Sequence, residues 1–151
     1  MHALKKVQLN LTVLPTRRAY EAAIKQRGAD TTHTAGMDFH ASNSGCIHYD
    51  NAHSAMRTAV HEAVHAINKA VLGYTPRWFN EGFAEYFELT KNNMQTAIVE
   101  PNSSWTKNNN ITKSVFLIDS LVGLDDSWKK GDTSKLYASS WAAIYFLMDT
   151  Q

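Results

Sequence analysis

Residues 58–87 constrain the fold of this chain more than any other stretch. They read TAVHEAVHAINKAVLGYTPRWFNEGFAEYF, two amphipathic patterns separated by Gly73 and Pro76. Glycine commonly ends a helix in a left-handed conformation, and proline is favoured in the first turn of the next helix. The stretch therefore predicts two consecutive helices, over residues 54–72 and 75–89.

The first of these helices carries His61, Glu62 and His65, an instance of the pattern HExxH. Histidines four residues apart lie on one face of a helix, where both imidazoles can bind one metal ion. Glu62 lies about 100° around the helix axis, where its carboxylate can hold a water rather than the metal. A plain buried helix is the alternative interpretation, because an apolar stripe is present regardless of any metal: Ala59, Val60, Ala63, Val64, Ile67 and Val71.

The second helix offers a third metal ligand in addition to the two histidines. A catalytic zinc has three protein ligands and one open position. Glu81 is the candidate third ligand, because a hairpin or V of the two helices would bring it to the metal. Glu85 lies one turn further on the same face and is the candidate carboxylate for the other N–H of a ligating histidine. Gly82 indicates a close approach of this helix to the first one.

Solvated surface carboxylates are the alternative for Glu81 and Glu85. Aromatic residues surround them in the sequence, however, which predicts a largely buried helix: Trp78, Phe79, Phe83, Tyr86 and Phe87. A buried carboxylate is costly without a partner, and a metal and a histidine N–H are suitable partners.

The rest of the chain predicts an α+β order, with strands first and helices later. The remaining predicted elements are a strand over 6–14, a helix over 16–28, two strands within 35–51 around a turn at Asn43-Ser44-Gly45, a loop with a short strand over 91–110, and helices over 112–123 and 134–149. His40 and His48 fall in the two strands of 35–51 and are expected to be surface or edge residues, since neither has a partner at ligand spacing.

Composition excludes several classes of function. The chain of 151 residues suits one domain, and its formal charge of +1 without a basic run does not indicate nucleic acid or an anionic membrane as a partner. Its apolar runs are shorter than a membrane span. The one cysteine, Cys46, cannot form an internal disulfide or a thiolate metal site alone, and we expect a small buried residue rather than a nucleophile activated by His48.

The two ends of the sequence favour a domain excised from a longer chain. The N-terminus lacks the apolar segment of a signal peptide, and the C-terminus stops inside an apolar helical pattern without a cap. Localisation is therefore not readable from these residues.

These motifs together resemble the gluzincin metallopeptidases, the thermolysin-like clan in which the third zinc ligand is a glutamate. They are most similar to compact bacterial families described as peptidase MA-like, in which HExxH is followed by P-x-W-L/F-x-E-G-x-A-x-Y. Here that block is PRWFNEGFAEYF, residues 76–87. The resemblance is strong over residues 58–87 and weaker at the strands of 35–51 and the tyrosine-containing helix of 136–147.

The resemblance implies a zincin-like α+β catalytic domain over residues 1–151. Its parts would be a small N-terminal mixed sheet with an edge hairpin, the HExxH helix packed on it, and C-terminal helices. The implied activity is hydrolysis of a peptide or protein substrate, and families of this kind are secreted or periplasmic. We expect an extended substrate to add as a strand to the edge formed by residues 36–49.

The resemblance also implies the site residues. One Zn²⁺ per chain would be bound by His61, His65 and Glu81, with Glu62 as the general base that accepts a proton from the attacking water and passes it to the leaving nitrogen. Glu85 would support a ligand in the position where the thermolysin group usually has an aspartate.

The oxyanion needs a further donor besides the metal, and Tyr137 is the first candidate. It lies at the start of the last predicted helix, in the family's tyrosine position. A core aromatic residue is the alternative reading of Tyr137, and Tyr86 and Tyr74 are the next candidates.

Two other functions remain open at this point. A non-catalytic zinc domain would have four protein ligands, and a fourth ligand from His53, His48 or Asp119 would favour it. A metal hydrolase that does not cleave peptides would use the same ligand set. The sequence does not decide the substrate sequence, endo- or exopeptidase action, or the oligomeric state.

Overall fold

The protein mixes helices and strands, as the sequence predicts, but a second pair of strands follows the two central helices, where the sequence predicts a loop with a short strand. The computed structural model describes residues 7–30, 34–92, 97–106, 121, 128 and 133–149. In chain order its elements are β1 (Asn10–Leu14), α1 (Arg17–Gln26), β2 (Gly36–Phe39), a 3-10 turn (His40–Ser42), β3 (Ser44–His48), α2 (Ala52–Leu72), α3 (Arg77–Phe87), β4 (Thr90–Asn92), β5 (Ala97–Val99), the one-turn helix α4 (Ser103–Thr106) and α5 (Thr133–Asp149). The chain divides into two compact units, Met1–Gly73 and Tyr74–Gln151.

The first unit contains a small mixed sheet in the order β1-β3-β2. β1 pairs with β3 in parallel, while β2 pairs with β3 in antiparallel fashion. A parallel pair needs a long connection, which α1 and β2 supply here. β3 is therefore the central strand of this described sheet, and the prediction that residues 36–49 all form an edge is wrong for β3. The edge of the hairpin is β2 alone.

The turn between β2 and β3 differs from the predicted one by a residue or two. Asn43 adopts a left-handed conformation with φ 46, which asparagine tolerates better than most residues. Ser44 and Gly45 already belong to β3, and His40 lies in the 3-10 turn rather than in a strand. His48 lies in β3, as predicted.

Helices α1 and α2 pack on opposite faces of this sheet. Met37 pairs with Cys46, and both belong to a cluster with Tyr20 and Ile24 of α1. Gly36 is one residue away on β2 and faces the other side, where α2 passes, since successive strand residues point to opposite faces. Cys46 is buried, as expected for a small core residue.

Local sequence signals set the helix ends. The Thr16 hydroxyl accepts a hydrogen bond from the backbone N–H of Ala19 and caps α1, as predicted. Asn51 caps α2 in the same way, so that helix begins two residues before the predicted start. Gly73, with φ 77, ends α2 at the predicted position.

The buried face of α2 is not the apolar stripe that its periodicity predicts. Ile67 and Val71 are 48% and 58% exposed. The buried positions of the helix are instead Glu62, Val64, His65 and Asn68, of which three are polar. Polar side chains are rarely buried without a structural or chemical partner, so this face argues against the plain amphipathic helix.

In the second unit, α3 packs along α5. Gly82 allows the close approach, because a β-carbon there would lie 2.5 Å from the carbonyl oxygen of Ser140. The close contact predicted for Gly82 is thus present with the last helix rather than with the first. Phe79, Phe83 and Phe87 stack along a separate face of α3.

Two predictions about the C-terminal half have different outcomes. The last helix extends from Thr133 to Asp149, close to the predicted 134–149. The helix predicted over 112–123 lies outside the described residues, apart from the buried Leu121. None of the described helices combines the length and apolarity that crossing a bilayer requires.

Candidate functional site

The two histidines of α2 lie side by side. The centroids of the His61 and His65 rings are 4.8 Å apart and their planes are nearly perpendicular. His65 is 8% exposed, whereas His61 is half-buried. The spacing of four residues on a regular helix places both imidazoles on one face, as the sequence predicts. The pair is a suitable half of a site for a metal that prefers nitrogen ligands.

Glu62 is buried against the edge strand β2. A β-carbon at Gly36 would clash with the methyl group of Thr58 and would lie 2.5 Å from Oε1 of Glu62. The absence of a side chain at Gly36 therefore makes the space into which the Glu62 carboxylate extends. This close approach brings the Glu62 carboxylate beside the backbone of β2, the outer strand of the β2–β3 hairpin.

Helix α3 carries a charged stripe at positions Arg77, Glu81 and Glu85. Like charges at i and i+4 destabilise a helix, so both carboxylates need favourable partners. Arg77 supplies one, with its Nε 3.6 Å from Oε1 of Glu81. The Arg77 guanidinium also lies 4.7 Å from the centre of the Trp128 ring, which restricts where this cation can go. Glu81 itself is 9% exposed.

Glu85 has partners on a different segment. Trp105 donates from Nε1 to Oε2 of Glu85 over 3.0 Å. Asn102 donates from Nδ2 to the same oxygen over 3.4 Å. Both donors are neutral, so they hold the carboxylate in place without cancelling its charge.

Tyr137, near the start of α5, lies beside the other carboxylate of α3. Its hydroxyl forms a hydrogen bond with Glu81, and its ring packs edge-on against Trp128 at 5.3 Å. Burial raises the pKa of Tyr137 far above the usual range, and the negative charge of Glu81 raises it further, while Arg77 opposes the change. The phenol therefore stays protonated near neutral pH and has a hydrogen that it can donate.

The site residues predicted from the sequence fall into two groups. His61, Glu62 and His65 are neighbours on α2 in the first unit. Glu81, Glu85 and Tyr137 belong to the second unit, where Glu81 contacts Tyr137.

Two of the three candidate fourth ligands, His48 and His53, lie among the described residues, on β3 and α2. His48 lies in β3 with its ring 6.2 Å from that of Tyr20, and His53 is exposed in the first turn of α2. Asp119 lies outside the described residues.

Three contributing residues were missed by reasoning from the sequence: Gly36, Asn102 and Trp105. Gly36 carries no local signal, because its role depends on which helix crosses the strand. Asn102 and Trp105 lie in a polar stretch that reads as a loop. The one available signal was Trp105 itself, since an indole N–H in a folded segment usually needs an acceptor.

The described residues form an α+β protein in which one helix carries two neighbouring histidines. Comparison with known families shows the family to which the chain belongs. Residues 55–151, more than half of the chain, match the family described as proteins of unknown function, DUF1570. The chain belongs to that family. The match includes nearly all of α2 and the whole of α3 and α5, and it begins after the sheet. Searches among curated proteins and among solved structures give no match.

Proposed function

We propose that this protein is a zinc-dependent peptidase of zincin-like fold. The observation that carries the proposal is the α2 helix, which buries Glu62 and His65 and places His61 edge-to-face with His65. A helix that buries this set of polar groups needs a chemical reason, and a pair of imidazoles with an adjacent carboxylate is the donor set of a catalytic zinc site.

The proposed ligands are His61, His65 and Glu81. The first two are supported by their spacing and ring contact on α2. Glu81 is supported by its burial and by the resemblance of residues 76–87 to the block that supplies a glutamate ligand. Two nitrogens and one carboxylate oxygen fit Zn²⁺ with one position open. When bound, the ion supplies a Lewis acid and lowers the pKa of a water to about 7.

Glu62 acts as the general base in this proposal. Its carboxylate accepts a proton from the attacking water and passes it to the leaving nitrogen of the peptide bond. The space beside Gly36 keeps Oε1 of Glu62 in place for both transfers, and the burial of Glu62 excludes other water from this side of the carboxylate.

The edge of β2 suggests why the substrate is a peptide. Gly36–Phe39 is one of the two outer strands of the three-stranded sheet, so its outer backbone groups can pair with an extended chain. A peptide bound there as an additional strand would pass beside Gly36, and therefore beside Glu62. Main-chain pairing needs no particular side chain, so this mode of binding fits a peptide better than a small molecule.

Tyr137 is the proposed donor to the oxyanion that forms as the water attacks. Its hydroxyl is kept protonated by burial and by the charge of Glu81, and its one hydrogen, which Glu81 accepts in this structure, would turn to the oxyanion as that charge develops. Its hydrogen bond to Glu81 places it next to a proposed ligand, where the developing charge would lie.

The experiment is a chelator-controlled peptidase assay with Glu62→Gln as the decisive variant. Wild-type protein loaded with zinc should hydrolyse a fluorophore-quenched denatured protein, and a chelator should abolish this activity. Glu62→Gln keeps the shape but cannot accept a proton, so turnover should fall by about 10²- to 10⁴-fold with zinc content unchanged.

Two results would contradict the proposal. Chelator-insensitive activity would point to a different chemistry or to a contaminant. Wild-type protein that binds zinc tightly but cleaves neither this substrate nor a panel of short peptides would favour the non-catalytic zinc domain instead.

A further inference from the structure

The second unit contains a pair of hydrogen bonds that the proposed function does not use. Asn102 and Trp105, together called here the Glu85 clamp, both donate to Oε2 of Glu85. They are separated from Glu85 by 17 and 20 positions along the chain, so the contact is tertiary rather than helical.

The clamp is preorganised by its own backbone. Oδ1 of Asn102 accepts a hydrogen bond from the backbone N–H of Ser104 over 3.1 Å. The carbonyl oxygen of Asn102 accepts the backbone N–H groups of Trp105 and Thr106, each over 3.0 Å. These bonds fix the direction of the amide, since only its Nδ2 group remains to face Glu85. Asn102 is 2% exposed, so little water competes for this contact.

Two neutral donors on one oxygen have a defined effect on a carboxylate. They favour its ionised form and fix its plane, while the negative charge remains available to a further partner. This matters on α3 because Glu81 lies one turn away and repels a second charge at Glu85. The clamp offsets that repulsion without introducing a cation that would compete with a metal.

We propose that Asn102 and Trp105 are positioning residues of the zinc site, acting through Glu85. By holding Oε2 they would fix the plane in which Glu85 supports the N–H of a ligating histidine, the role for which Glu85 is the candidate from the sequence. The inference rests on the proposed function, and it adds the segment 102–105 to the site. Partners of this kind commonly alter metal affinity by about 10- to 100-fold when they are removed.

The test is the zinc affinity of Trp105→Phe, measured by competition with a chromophoric chelator. This change removes the N–H donor and keeps a large aromatic ring. We expect zinc affinity to fall by about 10-fold. Trp78→Phe is the matched control, because Trp78 also lies in the second unit and its buried Nε1 has no hydrogen-bond partner among the described residues. The control should bind zinc within about 2-fold of wild type, since it removes no bond to Glu85.

A double-mutant cycle shows whether the effect passes through Glu85. In a Glu85→Ala background, which has no carboxylate to hold, adding Trp105→Phe should cause little further loss of affinity. Additive losses, or equal losses for Trp105→Phe and Trp78→Phe, would overturn the proposal and leave a general packing role.

A metal-independent measurement separates this inference from the proposed function. In metal-free protein, the indole N–H resonance of Trp105 should move on Glu85→Ala, while that of Trp78 should not. If wild-type protein binds no zinc but the Trp105 resonance moves, the clamp exists and the zinc proposal fails. If the resonance does not move, the clamp is absent and the inference fails whatever the zinc content.

Discussion

Glu62 in the first unit and Glu85 in the second are both acidic groups beside proposed ligands, yet they are held in different ways. The position of Glu62 depends on volume, because the missing side chain of Gly36 leaves its carboxylate room against the edge strand. Glu85 is placed by two N–H donors. The difference fits their proposed roles. A base needs room for its carboxylate, which the absence of a side chain at Gly36 leaves, whereas a carboxylate that orients a ligand should be held in one plane.

The comparison extends to Glu81, whose carboxylate, like that of Glu85, has polar partners. Arg77 and Tyr137 both approach its carboxylate. We therefore expect turnover to be sensitive to the loss of single polar atoms in the second unit. In the first unit we expect turnover to be sensitive to added side-chain volume beside Glu62.

Of the two changes that test this comparison, removal of one oxygen atom in the second unit should have the larger effect. Tyr137→Phe should lower turnover by about 100-fold, because it deletes the proposed oxyanion donor while keeping the ring against Trp128. Zinc content at saturating metal should remain one per chain. Steady-state turnover of the quenched protein substrate, with zinc determined on the same samples, measures both quantities.

Tyr145→Phe is the control for that variant, since Tyr145 lies on the same helix and packs on Trp141 and Tyr86. It should keep near wild-type turnover. Unchanged turnover in Tyr137→Phe would remove this tyrosine from the mechanism and leave it as a core residue that supports Glu81.

A smaller effect should follow from adding one methyl group in the first unit. Gly36→Ala would drive a β-carbon against Thr58 and Glu62, so the base must move. We expect turnover to fall by about 10-fold for a misplacement of this size, and the free energy of unfolding to fall by about 1–3 kcal/mol. Urea denaturation and turnover per folded molecule separate the two effects.

Gly45→Ala is the matched change on the neighbouring strand. A β-carbon there would lie 2.8 Å from a methyl group of Leu11 and does not meet Glu62 among its nearest atoms. It should destabilise the sheet to a similar extent with turnover per folded molecule nearly unchanged. Equal losses of turnover in both variants would show that Glu62 is not placed by the space at Gly36, and the contrast between the two carboxylates would fail.

The parts of the molecule that could be predicted from the sequence are those set by residues close together along the chain. His61, Glu62 and His65 could be placed from the sequence because one regular helix fixes their relative positions. The cap at Thr16 and the helix end at Gly73 are local signals of the same kind. Periodicity over short windows also predicted the first three strands and the helices after them, but it did not predict that β4 and β5 pair with each other.

What could not be predicted depends on contacts between distant segments. The space at Gly36 exists only once α2 crosses β2, and the partner of Gly82 is α5 rather than α2. Asn102 and Trp105 read as a polar loop until their acceptor, Glu85, is known. The exposed Ile67 and Val71 show a related failure, since periodicity identifies a stripe but not the side of the helix that the sheet covers.

The central claim is that His61, His65 and Glu81 bind one zinc ion, and elemental analysis of metal per chain tests it most directly. Protein purified without chelator and then supplied with zinc should contain about one zinc per chain. Glu81→Gln should weaken that binding strongly, while Glu100→Gln, at the exposed ion pair with Lys91, should not. Absence of zinc from wild-type protein, or full retention of tight binding in Glu81→Gln, would contradict the account.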